Sequence, residues 1–420
     1  MFTATPDQVQ VVFSILVIAV LLHMFLGACA YSIMLERKLS AWMQDRVGPN
    51  RVGPKGLLQP IADGLKFLLK EDYTPLGVDK ALFTMAPGLI MLPAMIGFAI
   101  VPFAGIIDIT SLVNLLGIAQ AGAVYEVTVV GADINIGVVY LIAVASLGVF
   151  GVTLGGWASN NKWSFLGGLR AGAQMISYEI PMGLSLLAII LVSGSISPMV
   201  IIGGQIEGAW NLVQLPVAAI IFYTCMLAEA NRAPFDLAEC ESELVGGYHT
   251  EYSSMRFAIF FLAEYFHMIT GAAFFTMLFL GGWSVNPFFG GWDLPVAGPW
   301  WIGLIQFGVV AFKIFLLVAF AMAIRWTLPR FRFDQLMRLA WEGMIPASLL
   351  VMLTVSFFLF MGWTDYMWIG SLGCVGLIYL VLPFMPQQAD PNHRTRLIGS
   401  RFSPAGDDPT REQLAEATSG

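Results

Sequence analysis

The residues best suited to chemistry lie in one stretch, AEANRAPFDLAECESELVGG, at 228–247. Only 12% of the 420 residues are charged, so a concentration of acid here is unusual. The acids are Glu229, Asp236, Glu239, Glu241 and Glu243, with Glu251 soon after and Arg232 as the accompanying cation. Pro234 lacks an amide hydrogen and interrupts helix continuation. In a short helix that restarts after it, Asp236, Glu239 and Glu243 fall on one face, where like charges share protons rather than all ionising.

Four ionisable residues stand inside or at the edge of apolar segments: Glu179, Glu229, Glu264 and Lys313. A charged side chain at the centre of a membrane helix costs about 2.5–3.5 kcal/mol even on lenient scales. One explanation is a set of structural ion pairs. The other, which is the default for such residues, is the movement of protons or ions. Counted at 1.5 Å per residue from the nearest arginine, Glu179 and Glu264 lie roughly 12–14 Å from the same membrane edge.

Membrane-spanning helices have to position these residues. Hydrophobic residues make up 57% of the chain, the mean hydropathy is +0.76, and runs of spanning length recur. We predict an all-α polytopic membrane protein with a single transmembrane domain over 1–384. Its nine expected spans are 10–34, 82–103, 134–155, 172–193, 214–229, 257–280, 300–325, 345–363 and 366–384. The alternative, a soluble protein with nine buried helices, is disfavoured because runs this long and numerous exceed any soluble core.

The distribution of cations predicts the orientation. Twenty of the 21 lysines and arginines follow odd-numbered spans, and the exception is Lys313 within the seventh span. Because Lys and Arg accumulate on the cytoplasmic side, we expect the N-terminus outside the inner (plasma) membrane and the acidic loop, 229–256, in the cytoplasm. A cleaved signal peptide is not expected, since Asp7 and no basic residue precedes the first run. Residues 385–420 are predicted to be a disordered cytoplasmic tail.

Two charged cytoplasmic segments have amphipathic patterns. In GLLQPIADGLKFLLKED, 56–72, leucine and isoleucine recur at helical spacing while Asp63, Lys66 and Lys70 take the other face. This predicts a helix lying in the membrane interface. The basic, aromatic segment RWTLPRFRFDQLMRLAW, 325–341, is similar. Both patterns allow either anchoring to lipid headgroups or a groove for an amphipathic ligand that comes from the bilayer.

Several kinds of site are not indicated. The four cysteines are scattered, without the spacing of a zinc or iron–sulfur site, and neither GxGxxG nor GxxxxGK[ST] occurs. His23 and His267 could in principle hold a haem, although a packed histidine is the commoner finding. No metal and no nucleic acid partner is expected, because topology explains the basic loops. Any redox chemistry must then come from another subunit.

Four long motifs carry a family resemblance. They are LERKLSAWMQDRVGPNRVGPKGLLQPIADGLKFLLKE, GWASNNKWSFLGGLRAGAQMISYE, AEANRAPFDLAECESELVGGYHTEY and WTLPRFRFDQLMRLAW. With them the chain resembles the membrane-embedded H subunit of bacterial NADH:quinone oxidoreductase (respiratory complex I), the counterpart of mitochondrial NADH dehydrogenase subunit 1. The resemblance covers about 10–365 and implies eight family helices, so the ninth would be an extra C-terminal one. Its implied partners are hydrophilic quinone-site and iron–sulfur subunits and adjacent membrane-arm subunits.

The resemblance also implies roles for particular residues. Quinone would be the substrate, reaching a partner's iron–sulfur cluster through a tunnel framed by the first span, the sixth span and the interfacial helix. The tunnel residues would be Glu36, Arg37, Arg46 and Asp63. A loop coupling this cavity to the membrane would contain Asp236, Glu239, Glu241, Glu243 and Glu251. An acid-lined channel would contain Glu179, Glu229 and Glu264, and the sequence adds Lys313 as a relay residue. Glu342 stands where many relatives carry a lysine, so it is assigned no role.

The resulting hypothesis is a subunit of a proton-pumping NADH:quinone oxidoreductase. It would form the quinone tunnel and couple quinone reduction to proton translocation, with iron–sulfur clusters and FMN in partner subunits and lipid around it. One alternative is the homologous subunit of a hydrogenase-type complex with another electron donor. Another is a stand-alone proton-coupled carrier, although carriers commonly show internal repeats and none is evident here. Both ubiquinone and menaquinone remain open.

Overall fold

The structure of the chain, a computed structural model, describes residues 5–115, 120, 123–237, 244–288 and 293–381. Helices dominate these residues, and those up to Gly376 belong to one compact unit. The α-helices of four or more residues are α1 Pro6–Met43, α2 Gln59–Leu69, α3 Lys80–Gly97, α4 Thr110–Leu115, α5 Gly137–Ser146, α6 Gly148–Ala158, α7 Lys162–Ser193, α8 Pro198–Glu207, α9 Asn211–Gln214, α10 Pro216–Glu229, α11 Ser254–Phe279, α12 Trp300–Thr327, α13 Phe333–Arg338, α14 Ile345–Phe360 and α15 Met367–Val381. A π-helical stretch, Leu339–Met344, joins α13 to α14.

The all-α membrane fold is confirmed. Within the described ranges, seven helices are long and apolar enough to cross a membrane: Pro6–Met43, Lys80–Ile100, Gly137–Ala158, Lys162–Ser193, Ser254–Phe279, Trp300–Thr327 and Phe333–Phe360. The other two expected spans are occupied by shorter helices, α10 and α15. The predicted tail, 385–420, lies outside the described residues, so its disorder stays a prediction.

Several helices extend beyond their apolar runs. α1 begins at a capping box in which Thr5 and Gln8 satisfy each other's backbone amides, and it continues through Glu36 and Arg37 to Met43. α7 begins at Lys162, capped by the Asn161 side chain, ten residues before the expected start. Hydropathy detects the apolar part of a helix, whereas caps and breakers determine where it begins and ends. The charged residues of α1 and α7 therefore stand on helices rather than in loops.

α10 is short and enclosed. Its 14 residues span about 21 Å, against a hydrocarbon core of about 30 Å. It packs against α7 and α11, and most of its residues are buried. It ends at Glu229, before Pro234, as Pro234 predicts. The acidic loop thus begins at the end of a buried helix.

Glycines allow the central helices to pack closely. A Cβ on Gly151 of α6 would lie 2.6 Å from the Ile90 amide nitrogen of α3. A Cβ on Gly167 of α7 would lie 2.7 Å from the Cα of Gly247, which precedes Tyr248 in the loop before α11. Small residues at such contacts bring helix backbones together in membrane proteins. Gly167 therefore sets how closely this loop approaches α7.

We expect Gly167→Ala to lower the temperature at which this subunit leaves the purified complex on heating. The new methyl group meets backbone, which cannot rotate away. Gly183 lies on the same helix, and no atom stands within 4 Å of the place that a Cβ would take there. Gly183→Ala is thus the matched control, and it should be neutral or stabilising because alanine gains up to about 1 kcal/mol over glycine in a helix. If both variants leave the complex at the same temperature, the close contact between Gly167 and Gly247 does not contribute to stability.

A small sheet, absent from the sequence-based expectation, joins loops at the end of the molecule near the start of α1. Its strands are β1 Ile106–Asp108, β2 Glu126–Thr128 and β3 Ala297–Pro299. β1 pairs antiparallel with β2 (Ile107 opposite Val127) and parallel with β3. The Gln10 side chain of α1 hydrogen-bonds to Thr128, so the sheet also holds the first helix. Strands of three residues are too short to produce a recognisable alternation.

Candidate functional site

A cluster of buried charges connects α1, α11, α12 and the loop after α10. Glu36 of α1 is buried in its centre, with 9% of its side chain exposed. Its carboxylate accepts hydrogen bonds from the Arg325 guanidinium and, at 2.6 Å, from the hydroxyl of Tyr265. Arg232 Nη1 lies 4.0 Å from its Oε2. A tunnel residue expected from the resemblance is therefore the centre of an ion-pair network.

Arg232 bridges two carboxylates in this cluster. Its side chain is 6% exposed, and Nη2 lies 3.3 Å from Oε2 of Glu264, whose side chain is 3% exposed. The guanidinium carbon stacks 4.0 Å from the ring centroid of Tyr265. Tyr248, fully buried, donates a 3.1 Å hydrogen bond to the other oxygen of Glu264. Two carboxylates and two guanidiniums thus compensate one another, as buried charges require.

An apolar groove of about 410 Å³ lies between α1, α2 and α11. Its walls include Ile33 and Met34 of α1 and Phe261 and Leu262 of α11. The Phe261 ring also lies under the Arg232 guanidinium, 5.6 Å from the ring centroid to Cζ. Phe261 therefore separates the groove from the buried charge cluster. The volume falls in the range of about 300–1,000 Å³ typical of small-molecule sites.

Charges at the rim of this groove are paired. Arg37 Nη1 lies 2.8 Å from Asp63 Oδ2, and Lys66 Nζ lies 3.9 Å from Asp63 Oδ1. Gln59 adds a 3.2 Å hydrogen bond to the same carboxylate. The structure thus brings two of the four expected tunnel residues together at the rim, while Glu36 lies in the buried cluster. Arg46 is apart from both: its side chain is exposed and bonds at 2.7 Å to Gln44.

The amphipathic helix predicted at 56–72 is α2, Gln59–Leu69. Its apolar side chains are exposed in this chain, with Leu65 53% and Leu69 85% accessible. A helix with such a face is typical of the membrane interface. Its polar face carries Asp63 to the groove.

The acidic loop is described in part. Asp236 is buried and pairs with Arg330 at 3.1 Å, and Glu251 accepts a hydrogen bond from the Asn161 side chain. Burial lowers the pKa of His249 to about 4, with the Asp236 carboxylate opposing the change, so this histidine is neutral at pH 7. Glu239, Glu241 and Glu243 lie outside the described residues, so their common face stays a prediction.

Glu229 and Glu179 form a second, separate pair of acids. Glu229, at the end of α10, lines a cavity of about 40 Å³ together with His267 and Thr270 of α11. By this measure a water molecule needs roughly 10–15 Å³. Glu179 lies close enough to Glu229 to interact electrostatically, and Ser146 hydrogen-bonds to Glu179. Glu229 thus borders a space large enough for water, and Glu179 is its electrostatic neighbour.

Lys313 contacts the end of α11 that is far from Glu264. Its amine donates hydrogen bonds to the carbonyls of Leu280, at 2.6 Å, of Gly282, at 2.9 Å, and of Ser284. Leu280 follows α11 sixteen residues after Glu264, which corresponds to about 24 Å of helix. The amine also lies 4.2 Å from the Trp210 ring centroid, with Asp293 nearby. The structure therefore does not bring Lys313 together with the expected relay.

Sequence reasoning assigned no role to four members of the buried cluster: Arg232, Tyr248, Tyr265 and Arg325. Arg325 served only as one of the topology-determining cations, and the tyrosines carry no charge pattern. A usable signal exists for Arg325, because α12 continues to Thr327 and keeps this arginine on a helix. Among the described residues, no group of three or more His, Cys, Asp or Glu side chains is arranged to hold a metal ion.

Known proteins resemble this chain over most of its length. The family model described as NADH dehydrogenase matches residues 15–356. An H subunit of the NADH-quinone oxidoreductase of Geobacter sulfurreducens is 47% identical over 322 residues, 76% of this chain and 87% of that protein. The corresponding proteins of Cytophaga hutchinsonii and Leptospira biflexa are each 45% identical, over 76% and 80% of this chain and 89% and 92% of their own lengths.

Proposed function

Because this chain belongs to the NADH dehydrogenase family of NADH-quinone oxidoreductase H subunits, we propose that it forms the path of quinone from the bilayer and couples quinone reduction to proton translocation. It is a membrane subunit of an oxidoreductase complex. In this proposal the electron carriers, iron–sulfur clusters and FMN, belong to hydrophilic partner subunits, and quinone is the substrate. The relatives' names favour NADH as the electron donor over the hydrogenase-type and carrier alternatives.

One observation carries the proposal: the groove between α1, α2 and α11 shares a wall, Phe261, with the buried charge cluster. A quinone has a long apolar tail and an uncharged polar headgroup. The groove offers apolar walls to the tail, and its rim charges are already paired through Asp63, so an uncharged molecule can enter without leaving a buried charge unpaired. The cluster behind Phe261 is then close to the path of the headgroup.

The buried cluster is suited to respond to quinone reduction. Reduction of a quinone to a hydroquinone takes two electrons from the partner's carrier and two protons from nearby groups. The headgroup ends neutral, but the groups that give up the protons become more negative, and this changes the electrostatic potential around them. Buried charges interact more strongly than surface charges because little solvent screens them. Arg232, which contacts both Glu36 and Glu264, would transmit that change from α1 to α11.

Protons would then move through the acids deeper in the helices. Glu264 belongs to the charge cluster, Glu229 lines the water-sized cavity between α3, α5, α7, α10 and α11, and Glu179 interacts electrostatically with Glu229. The acidic loop, with Asp236, Glu239, Glu241, Glu243 and Glu251, would supply protons to them from the cytoplasm. We also propose the orientation given by the cations, with the N-terminus outside and the C-terminus in the cytoplasm. Lys313 has no place in this path, because its amine is bonded to the backbone far from it.

The test narrows the groove without changing its charge. Ala30 of α1 lines the groove, whereas Ala19 of the same helix is exposed outside it. We expect Ala30→Phe to reduce NADH:quinone reductase activity of the purified complex on the order of tenfold, since a phenyl ring fills part of the space for the tail. The complex with Ala19→Phe should keep nearly the native NADH:quinone reductase activity. Reduction of a water-soluble artificial acceptor, which needs only the electron-carrying subunits, should be the same in both.

A photoreactive quinone analogue provides a second readout. It should label the protein within 36–70 or 229–256, and Ala30→Phe should suppress the labelling. Labelling confined to 104–133 would exclude this path, and so would full quinone reductase activity in Ala30→Phe.

A further inference from the structure

A second, larger groove of about 600 Å³ lies on the other side of α1, between α1, α11 and α12. Its walls are apolar and aromatic, with Phe25 and Ala28 on α1 and Phe307 and Phe315 on α12. Met34 of α1 lines this groove and also the first one. The helix α1 is therefore the partition between two apolar spaces, and the proposed quinone path uses only one of them.

The rim of the second groove differs in charge from that of the first. Lys38, on α1, and Lys55, in the turn before α2, line it, and no carboxylate of the described residues does. Neither lysine forms an ion pair with another residue of the described ranges. The first groove, in contrast, has its Arg37 and Lys66 paired to Asp63. The two grooves are alike in their apolar walls, but only the second has a rim with uncompensated positive charge among the residues that the structure describes.

The rim lysines are also held in place. The aliphatic part of Lys38 packs near Gly48, where a Cβ would lie 3.2 Å from its Cδ. Lys55 stands in a tight turn with a φ of 53°, followed by Gly56, whose own φ is +83°. A Cβ on Gly56 would lie 2.2 Å from the Pro49 carbonyl oxygen, so the turn has little freedom. Trp42, on the same rim, is of the type that favours the level of lipid headgroups.

We infer that the second groove binds an anionic phospholipid, with an acyl chain along its walls and the phosphate between Lys38 and Lys55. Lysines place their ammonium groups at the headgroup level while their stems cover apolar surface. Basic pockets between membrane helices bind anionic headgroups in this way. A neutral quinone would leave both lysines without a counter-charge. The inference does not depend on the proposed quinone path, because the two ligands would occupy opposite sides of α1.

The test uses the purified complex in vesicles of phosphatidylcholine that contain a trace of phosphatidylglycerol with a photoreactive acyl chain. After illumination, labelled peptides should come from 24–42 and 307–318. Excess phosphatidylglycerol should compete with the label, and excess phosphatidylcholine should not. The double variant Lys38→Gln/Lys55→Gln should reduce labelling several-fold, because it removes both counter-charges. The matched control is Lys80→Gln, which changes an exposed lysine outside the groove. In this variant the two peptides should be labelled to the same extent as in the native protein.

A second variant tests the groove itself without removing the lysines. Ala28→Phe fills the groove from an exposed position on α1 without altering charge, and it too should reduce labelling. Equal competition by the two lipids would overturn the inference, as would labelling of 307–318, which lines only the second groove, by a photoreactive quinone. Absence of the phosphatidylglycerol label from both peptides would overturn it as well and would indicate that a neighbouring subunit covers the groove.

Discussion

Arg232→Met is expected to lower the free energy of unfolding by about 3–5 kcal/mol, the usual cost of removing one partner from a buried ion pair. Methionine keeps most of the length of the side chain and removes its charge. Glu264 would then lose its contact with the Arg232 guanidinium and keep the Tyr248 hydroxyl, while Glu36 would keep Arg325. The measurement is the temperature at which the subunit leaves the purified complex, together with quinone reductase activity.

Two controls accompany this prediction. Arg37 forms an ion pair with Asp63 but has 45% of its side chain exposed, so Arg37→Met should cost at most about 1 kcal/mol in stability. The double variant Arg232→Met/Glu264→Gln removes one charge of each sign and should recover part of the loss, which a double-mutant cycle quantifies. A native melting temperature in Arg232→Met, or no coupling in the cycle, would contradict the charge-compensated cluster.

Glu179→Gln and Glu229→Gln are expected to reduce proton pumping and quinone reduction together, on the order of a hundredfold, the scale on which positioned proton-transfer groups contribute. Neither carboxylate forms an ion pair with a described residue, so an amide of the same shape should leave the helices in place. Electron transfer from NADH to an artificial acceptor should be unaffected. Glu207→Gln, at an exposed position ending α8, is the control and should pump normally.

Both rates are measured on one preparation of the complex in proteoliposomes. The joint loss is expected because the proposed mechanism allows no quinone reduction without proton movement. If either variant pumps protons at the native rate, the carboxylate that it replaces has a structural role and does not transfer protons. Loss of pumping with full quinone reduction would show that the two steps are not obligatorily coupled.

Much of the fold could be predicted, because the physical cause of each span is local. A single apolar run of spanning length forms a helix in a bilayer, because only a helix satisfies all of its backbone hydrogen bonds within the segment. The ends of the helices were harder to predict: α1 continues past Glu36 to Met43 because no proline or glycine intervenes before Gly48. The sheet could not be predicted, since β1, β2 and β3 come from three distant loops and each has only three residues.

The sequence predicts several of the charged residues of the site, but it does not predict which of them contact one another. Rare charges in apolar segments identify Glu179, Glu229, Glu264 and Lys313 as important, and the family resemblance adds Glu36. Which charges meet depends on where α1, α11 and α12 cross, and no local pattern encodes that. The partners of Arg232, Arg325 and Lys313 are therefore evident only in three dimensions, and the Lys313 amine bonds to carbonyls near the opposite end of α11 from Glu264.

The shortness of α10 has a consequence for how membrane voltage acts on the protein. In the proposed path Glu229 ends α10, so about 21 Å of helix separates this carboxylate from the other end of α10, against about 30 Å for the whole hydrocarbon core. Moving an elementary charge through the full drop requires about 2.3 kcal/mol per 100 mV. A proton that reaches Glu229 through the proposed acidic loop would then have crossed the smaller part of the drop, so we expect its arrival there to depend only weakly on voltage. Under the proposed coupling, most of the work against the membrane voltage would therefore be done beyond that carboxylate.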